Sequence, residues 1–427
     1  MVHLITSFLY NTSMRIAMIS FHTCPLASEE GKETGGMNVY VFELAKQLAK
    51  QGHTVDMYTR AQNISNQEVV EIGPRLRLIH LKAGKMGPID KKKLIQHIPE
   101  FVQNYLSFVK KNNTANYDVL HCHYYLSGLI GLQLKELSIT PLPIVMTFHT
   151  LALMKNLVAR DEFEKEEITR IDAEYELIQK VDAIIAPSEN EKEYLRYLYD
   201  SPDRKIYIVP PGVNTALFKP IDKQIAKKRI NAPEVGKILL FVGRIEPLKG
   251  LDMLMYALKV LKAKNPKLDV CLWIVGGDIS QKPRLWSREL TLLKNLMHLL
   301  HISMMVKFVG QQSQTMLPYY YNAAEMVIMP SHYESFGIVT LEAMACGIPV
   351  ITTNVAGVSN LIDEKHKSLI TTVNNPLLLA SQIKCVLTNE KIHAQMSKDL
   401  YKKAQEFNWE LMVEKIVEIY ENVSIAQ

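Results

Sequence analysis

Short apolar runs recur along the chain, and most are followed, after a polar or glycine-bearing turn, by a stretch whose apolar residues return every third or fourth position. The first kind of segment reads as a buried strand and the second as an amphipathic helix. In the first half this pattern predicts strands over Arg15–Ser20, Thr54–Thr59, Asp118–His123, Pro143–His149 and Ala183–Ser188, and another starting at Ile206. Residues 66–95 yield one more strand, Arg77–Leu81. A helix is predicted over Val39–Gln51, with Val41, Leu44, Ala45 and Leu48 on one face and Gly52 as its stop. A charged helix is expected over 161–180 and another up to about Tyr199. The alternation breaks at Pro210-Pro211-Gly212, and the polar run Lys219–Asn231 reads as a linker. It restarts with strands over Lys237–Val242, Leu272–Asp278, Val306–Gly310, Glu325–Pro330 and Ile348–Thr353. Helices are predicted over Leu251–Ala263, Phe336–Ala345 and, at the end, Phe407–Val423. Strand–helix alternation in both halves implies an α/β protein with two Rossmann-like parallel sheets.

Composition narrows the function classes. A hydrophobic content of 48% and a charged content of 22% over 427 residues describe ordinary globular domains, about two to three of them. The net charge of +5 suits anionic substrates or weak attraction to an anionic membrane surface, and is too small to imply nucleic acid. No RNP, zinc-finger or basic-helix pattern is present either. The five cysteines are scattered without a C-x-x-C pair, as expected for reduced thiols in a cytoplasmic protein. No apolar run reaches the roughly 18–20 residues that span a bilayer. Residues 1–13 lack the basic region and cleavage site of a signal peptide and read as an extension.

The most informative stretch is Met329–Val350, MPSHYESFGIVTLEAMACGIPV. A strand, a polar turn and a helix start would aim the amides of Phe336, Gly337 and Ile338 outward, where they suit an anion. Gly337 would let a ligand approach the backbone. Glu334 in the turn and Glu342 in the helix would repel phosphate, so they more naturally accept hydrogen bonds from hydroxyls. Phosphate flanked by hydroxyls describes a nucleotide-sugar. Arg244 and Lys249, in G-R-I-E-P-L-K-G between a strand and a helix, make a second anion site. Gly276-Gly277 offers another close approach, and Gly35-Gly36 opens the first helix. In the first half, Tyr124 and His149-Thr150 stand at strand ends, where ligands bind in open α/β sheets. His121 and His123 share a strand face, but no third metal ligand accompanies them, which favours packing in the core or an acceptor pocket. The triplet Lys91-Lys92-Lys93 reads as a solvated face.

The segment P-S-x-x-E-S-F-G-x-x-x-x-E-A-M-A-C-G-x-P-V resembles the signature of retaining glycosyltransferase family 4, which has the GT-B fold. G-R-x-x-x-x-K-G, P-P-G-V-N and the Gly35-Gly36 loop match in the same order, and Asn354-Val-Ala-Gly357-Val resembles the family's N-x-G-G-x turn with Ala356 for its first glycine. Within that family, G-G-M-N-V-Y-V, H-Y-Y-L-S-G and H-T-L-A-x-x-K-N are similar to the inositol-phosphate glycosyltransferases of mycothiol synthesis and to sucrose-phosphate synthases. The resemblance implies an acceptor-binding domain over 14–215, completed by a C-terminal helix at 409–427. It implies a nucleotide-sugar-binding domain over 216–408, with the active site in the cleft between the two. It further implies that Gly36, supported by Gly35, contacts the donor diphosphate and that the backbone at Val309 contacts the base. Asn38 would then meet the acceptor. His149 would face the sugar ring, and Lys91, Tyr124, Thr150 and Arg170 would hold an acceptor phosphate.

The chemistry so implied is hexosyl transfer with retention from a UDP-linked or similar nucleotide-sugar to a small phosphorylated polyol or sugar. Arg244, Lys249 and the Gly36 and Phe336–Ile338 amides would stabilise the departing diphosphate without a metal or other cofactor. Glu334 would hold sugar hydroxyls, Glu342 the ribose. Two other readings remain open: a transferase of envelope polysaccharide or lipid, peripheral at the inner membrane face and marked by a basic amphipathic patch, and a nucleotide-sugar-binding protein without transfer activity. The presence of Arg244, Lys249, Glu334 and Glu342 together argues against the last. A monomer or homodimer is expected.

Overall fold

The computed structural model describes residues 13–26, 35–114, 116–137, 142–280, 282–335, 337–355, 357–358, 361–362, 366 and 374–425. Residues 1–12 of the expected extension lie outside this set, as do Phe336 and Ala356.

The first half contributes β1 (Arg15–Ile19), α1 (Gly36–Lys50), β2 (Thr54–Arg60), β3 (Val69–Gly73), β4 (Leu76–Leu81), α2 (Ile98–Lys111) and β5 (Val119–His123). It continues with α3 (Tyr125–Leu137), β6 (Ile144–Thr147), α4 (Ala152–Leu157), α5 (Ile168–Lys180), β7 (Ala183–Ala186), α6 (Glu189–Leu198) and β8 (Ile206–Ile208). These strands form an eight-stranded sheet in the order β3-β4-β2-β1-β5-β6-β7-β8. Every pairing is parallel except β3 on β4. Alternation along β1 feeds both faces: Ala17 and Ile19 join one apolar cluster, Ile16 and Met18 the other.

The second half contains α7 (Lys223–Arg229), β9 (Lys237–Val242), α8 (Leu251–Lys264), β10 (Val270–Val275), α9 (Arg288–Leu299) and β11 (Val306–Gly310). Then follow α10 (Leu317–Ala323), β12 (Met326–Met329), α11 (Ile338–Ala345), β13 (Val350–Thr352), α12 (Pro376–Thr388), α13 (Glu390–Ala404) and α14 (Trp409–Ile425). A five-stranded parallel sheet runs β11-β10-β9-β12-β13.

Two expectations are corrected here. Residues 66–95 hold a second strand, β3, whose partly exposed edge residues give no continuous apolar run. The polar run read as linker contains α7: Asp222 caps it, accepting from the Gln224 and Ile225 amides at 3.0 Å, and Ala226 is fully buried.

The two halves meet at the points that build the site. The last helix, α14, buries Trp409, Met412, Val413, Ile416, Ile419, Tyr420 and Val423 in the first-half cluster that also holds Leu44 of α1. Gly212 lies under Trp409, where a Cβ would come within 2.6 Å of its backbone, and the Val213 amide donates to the Phe407 carbonyl at 2.7 Å. Tyr333 and Ile338, both from the turn and helix after β12, insert into the two first-half clusters.

Candidate functional site

Arg244 and Lys249 stand in the loop between β9 and α8. Gly250 ends that loop at φ +62°, and a Cβ there would overlap the Pro330 carbonyl oxygen. The loop is thereby pressed against the end of β12, which carries Glu334 over it: Lys249 Nζ donates to Glu334 Oε2 at 2.6 Å. Sequence reasoning gave these two residues separate tasks, and the fold joins them in one ion pair. Arg244 reaches the other half, since a Cβ on Gly35 would sit 3.5 Å from its Nε. Gly36 faces Ile338 at the same separation, 3.5 Å from its Cδ1. Gly35, Gly36, Arg244, Lys249, Glu334 and Ile338 therefore converge from both halves on one cleft. Val309 lies on β11, an edge strand of the second sheet.

The glycines at this cleft also let other parts of the protein come close. At Gly337 (φ +62°) the backbone that comes close is that of Gly357, whose carbonyl oxygen would be 2.7 Å from a Cβ. The Gly357 amide in turn donates to the Glu334 carbonyl at 2.8 Å. The two glycines thus lock the turn that aims Glu334. Gly276 and Gly277 are likewise filled by the Gly243 carbonyl and the Ile245 side chain. Asn38 is also absorbed locally: its carboxamide donates to Thr23 Oγ1 at 2.7 Å and the Cys24 carbonyl at 2.5 Å, bracing the loop before α1.

On the first-half wall, His149 holds φ +64° and Tyr124 φ +75°, left-handed conformations that non-glycine residues adopt at a cost of order 1 kcal/mol. His149 Nε2 and His123 Nδ1 are 3.1 Å apart. His121 stacks beside His123, bonded through Nδ1 to Tyr420 of α14 at 2.6 Å and through Nε2 to Thr147 at 2.9 Å. Burial holds all three imidazoles well below their ordinary pKa, His121 at about 3. His149 therefore offers hydrogen-bonding and packing at the cleft, not a positive charge.

Lys91, Tyr124, Thr150 and Arg170 come together. Lys91 Nζ lies 4.1 Å from the centre of the Tyr124 ring, and the Arg170 guanidinium is 4.8 Å from the same ring. Arg170 Nη2 donates to Thr150 at its carbonyl (2.7 Å) and its Oγ1 (3.2 Å). Lys91 is thus no mere member of a solvated triplet. The residue stays exposed, but its ammonium sits in a crowded wall where burial, then Arg170 and Lys155, push it down to about 7. Tyr124 Oη is buried without a hydrogen-bond partner among the described residues, and Arg170 Nη1 meets the Glu166 carboxylate at 2.9 Å. An orphaned phenol beside a guanidinium and an ammonium forms a built receptor for an anion with several acceptor oxygens.

Two family profiles together span most of the chain: Glycosyltransferase Family 4 matches residues 34–217 and Glycosyl transferases group 1 matches residues 222–407. The D-inositol 3-phosphate glycosyltransferase of Nocardiopsis dassonvillei is 32% identical over 408 residues, which are 95% of this chain and 94% of that one. The chain belongs to glycosyltransferase family 4. The same enzyme of Corynebacterium efficiens is 31% identical, over 97% of this chain and 96% of its own. Sucrose-phosphate synthase from Thermosynechococcus elongatus superposes with a TM-score of 0.85 at 29% identity, covering 97% of this chain and all of that one. The two-sheet architecture is the GT-B fold.

Within this glycosyltransferase, Glu342 is buried. Tyr321 donates to its Oε2 at 2.6 Å, yet burial raises its pKa to about 7, with Glu43 of α1 adding repulsion across the cleft. Several residues of the transferase's cleft were not singled out from the sequence. Glu174 accepts from Arg170 Nε (2.8 Å), Tyr199 (2.5 Å) and the Ala152 amide (2.8 Å), anchoring the arginine. Its place four residues after Arg170 on a helix was the available signal. Glu166 sits 2.9 Å from Arg170 Nη1 and bonds Lys155. Lys155 belongs to the H-T-L-A-x-x-K-N motif and lies on α4, while Glu166 falls in the stretch expected to be helical from 161, whereas α5 starts only at Ile168. Among the described residues no cluster of three or more metal-ligating side chains occurs, and no helix is long and apolar enough to cross a membrane.

Proposed function

We propose that this glycosyltransferase moves a hexosyl unit from a UDP-linked sugar to a small phosphorylated polyol or sugar, with retention at the anomeric carbon. The observation that carries the acceptor half is the convergence of Lys91, Tyr124, Thr150 and Arg170, with the buried Tyr124 hydroxyl lacking a partner between two cationic side chains. A neutral polyol could accept from the Tyr124 hydroxyl but would bring no charge to the two cations, whereas a phosphate dianion supplies charge and three oxygens together. The relatives' names, an inositol-phosphate glycosyltransferase and a sucrose-phosphate synthase, agree with that chemistry. On the donor side, Arg244, Lys249 and the amides of Gly36, Gly337 and Ile338 would carry the departing UDP, and Phe336 belongs to the same proposal. Glu334 would hold sugar hydroxyls, Glu342 the ribose, Val309 the base, and neutral His149 the face of the sugar. Gly35 shapes the turn, and Asn38 acts through the Thr23–Cys24 loop.

Retention without an assigned protein nucleophile is consistent with departure and attack on one face, the leaving phosphate taking the acceptor's proton. The reaction so drawn uses no resident cofactor, since cations and amides meet the leaving-group charge. The test is competition during transfer to a pool of candidate acceptors. Inositol phosphate is expected to inhibit at least tenfold more strongly than free inositol, and that advantage should vanish in Lys91→Ala. Equal inhibition by the two compounds would remove the phosphate pocket from the proposal.

A further inference from the structure

The loop between α4 and α5 places a carboxylate inside the anion receptor just described. Glu166 is 16% exposed, pairs with Arg170 Nη1 at 2.9 Å and bonds Lys155 Nζ. Lys91 also acts on it electrostatically, and the three cations together hold its carboxyl well down, at about 2, despite burial. Its main chain is fixed independently: its amide donates to Asn156 Oδ1 at 2.7 Å, and the Asn156 carboxamide donates to its carbonyl at 3.4 Å. Glu167 beside it pairs with Lys92 at 3.2 Å. The side chain can therefore turn away while the backbone stays in place. Arg170 does not depend on Glu166 for its position, because Glu174 and Thr150 fix its other nitrogens.

We propose that Glu166 is a built-in competitor for the acceptor's phosphate, occupying the charge of Lys155 and Arg170 until a dianion displaces it. The inference rests on the acceptor reading above and deepens it. A monoanion or neutral hydroxyl compound would gain too little from these cations to dislodge a carboxylate already bonded to two of them. A phosphate monoester, with two charges and three oxygens, replaces both bonds and also reaches Tyr124 and Lys91. Glu166 thus acts as a specificity-determining residue: it weakens binding of every anion but excludes the weaker ones most.

The experiment is calorimetric titration of the full chain with inorganic phosphate, for wild type, Glu166→Gln, Lys91→Ala and the double variant. Glu166→Gln is expected to bind phosphate about tenfold more tightly than wild type, and to lose that gain when Lys91→Ala is added. In transfer assays KM for the phosphorylated acceptor should fall with kcat little changed, and inhibition by inorganic phosphate should rise. A purely supporting role for Glu166 would give the opposite: weaker phosphate binding in Glu166→Gln as Lys155 and Arg170 lose their brace. That result, or an unchanged affinity beside Lys91-dependent binding in wild type, overturns the competitor and leaves the acceptor reading standing. Phosphate binding to none of the four proteins would remove both. If Glu166→Gln melts far below wild type, Glu166→Asp carries the test, since a carboxylate one methylene shorter retreats from Arg170 and should give a smaller gain of the same sign.

Discussion

Lys249 and Glu334 neutralise one another at 2.6 Å while each keeps roughly a seventh of its side chain open to water. A diphosphate entering the cleft would take over the ammonium, and sugar hydroxyls would take over the carboxylate, so the pair keeps both groups aimed before substrate arrives. Lys249→Ala is expected to lower kcat/KM by about 100-fold or more with a near-normal far-ultraviolet spectrum, and steady-state kinetics beside circular dichroism checks it. Unchanged turnover would discard the assignment. Two other side chains predict opposite pH behaviour for the two substrates. Burial raises Glu342 to about 7, so it becomes a full acceptor for ribose hydroxyls only as pH rises through that value, and donor KM should fall between pH 6 and 8. Lys91, pushed down to about 7, loses its charge over the same interval, so acceptor KM should climb. Glu342→Gln should flatten the donor profile alone, and pH-resolved kinetics with each substrate varied in turn would show it. Lys249 and Glu334 were legible because each stands in a turn between a strand and a helix, and Glu342 because it follows in that helix, whereas Lys91 read as part of a solvated triplet and its role came only from the resemblance. Their pairings were not, because Lys249–Glu334 and Lys91–Tyr124 close over long sequence separations that no local pattern encodes.

The α4–α5 loop and the start of α9 exchange two ion pairs across the cleft. Arg160 Nη2 lies 2.6 Å from Glu289 Oε2, and Arg288 Nη2 lies 3.0 Å from Asp161 Oδ2. Each half thus supplies one arginine and one carboxylate. Glu289 is nearly buried, so removing Arg160 leaves a charge with poor access to water. Arg160→Glu should raise donor KM several-fold, and adding Glu289→Arg should recover much of the loss, for a coupling of about 1 kcal/mol in a double-mutant cycle. Additive effects would show that the clasp plays no part in closure. At this scale the regular elements were legible: β1, β11, α1 and α8 lie within a few residues of their predicted bounds, because their apolar periodicity is uninterrupted. What escaped were short elements with mixed faces. β3 is a half-exposed edge strand, and α7 is one polar turn or two that is helical because Asp222 caps it and Ala226 is buried. Residues 161–167 of the clasp loop were expected to be helical, but α5 starts only at Ile168.

For the molecule as a whole, the buried contacts between its halves include a carboxyl group. Glu191 of α6 bonds Ser335, its Oε1 has no hydrogen-bond partner among the described residues, and burial with Glu174 nearby raises its pKa to about 8. Tyr333, bonded to Ser335 at 2.7 Å, faces it as a neutral phenol. Above the ordinary carboxyl range the unfolded chain loses this proton while the folded protein keeps it. Stability therefore falls as pH rises toward 8, by at most about 1.4 kcal/mol per pH unit. Glu191→Gln keeps the shape without the ionisation, so its melting temperature should exceed wild type at pH 9 and approach it near pH 5; parallel curves would refute this. That there would be two sheets was legible from the restart of the strand–helix alternation, and the cleft between them was implied by the family resemblance; which buried groups would face each other across it was not legible. The crossing of α14 onto the first half has a consequence for synthesis. The apolar face of α1 and its sheet is made early, but the helix that covers it is translated only after the whole second sheet. The half of the protein translated first cannot finish folding until the other half is complete, so a chain stalled before Trp409 presents an open apolar surface to chaperones and proteases.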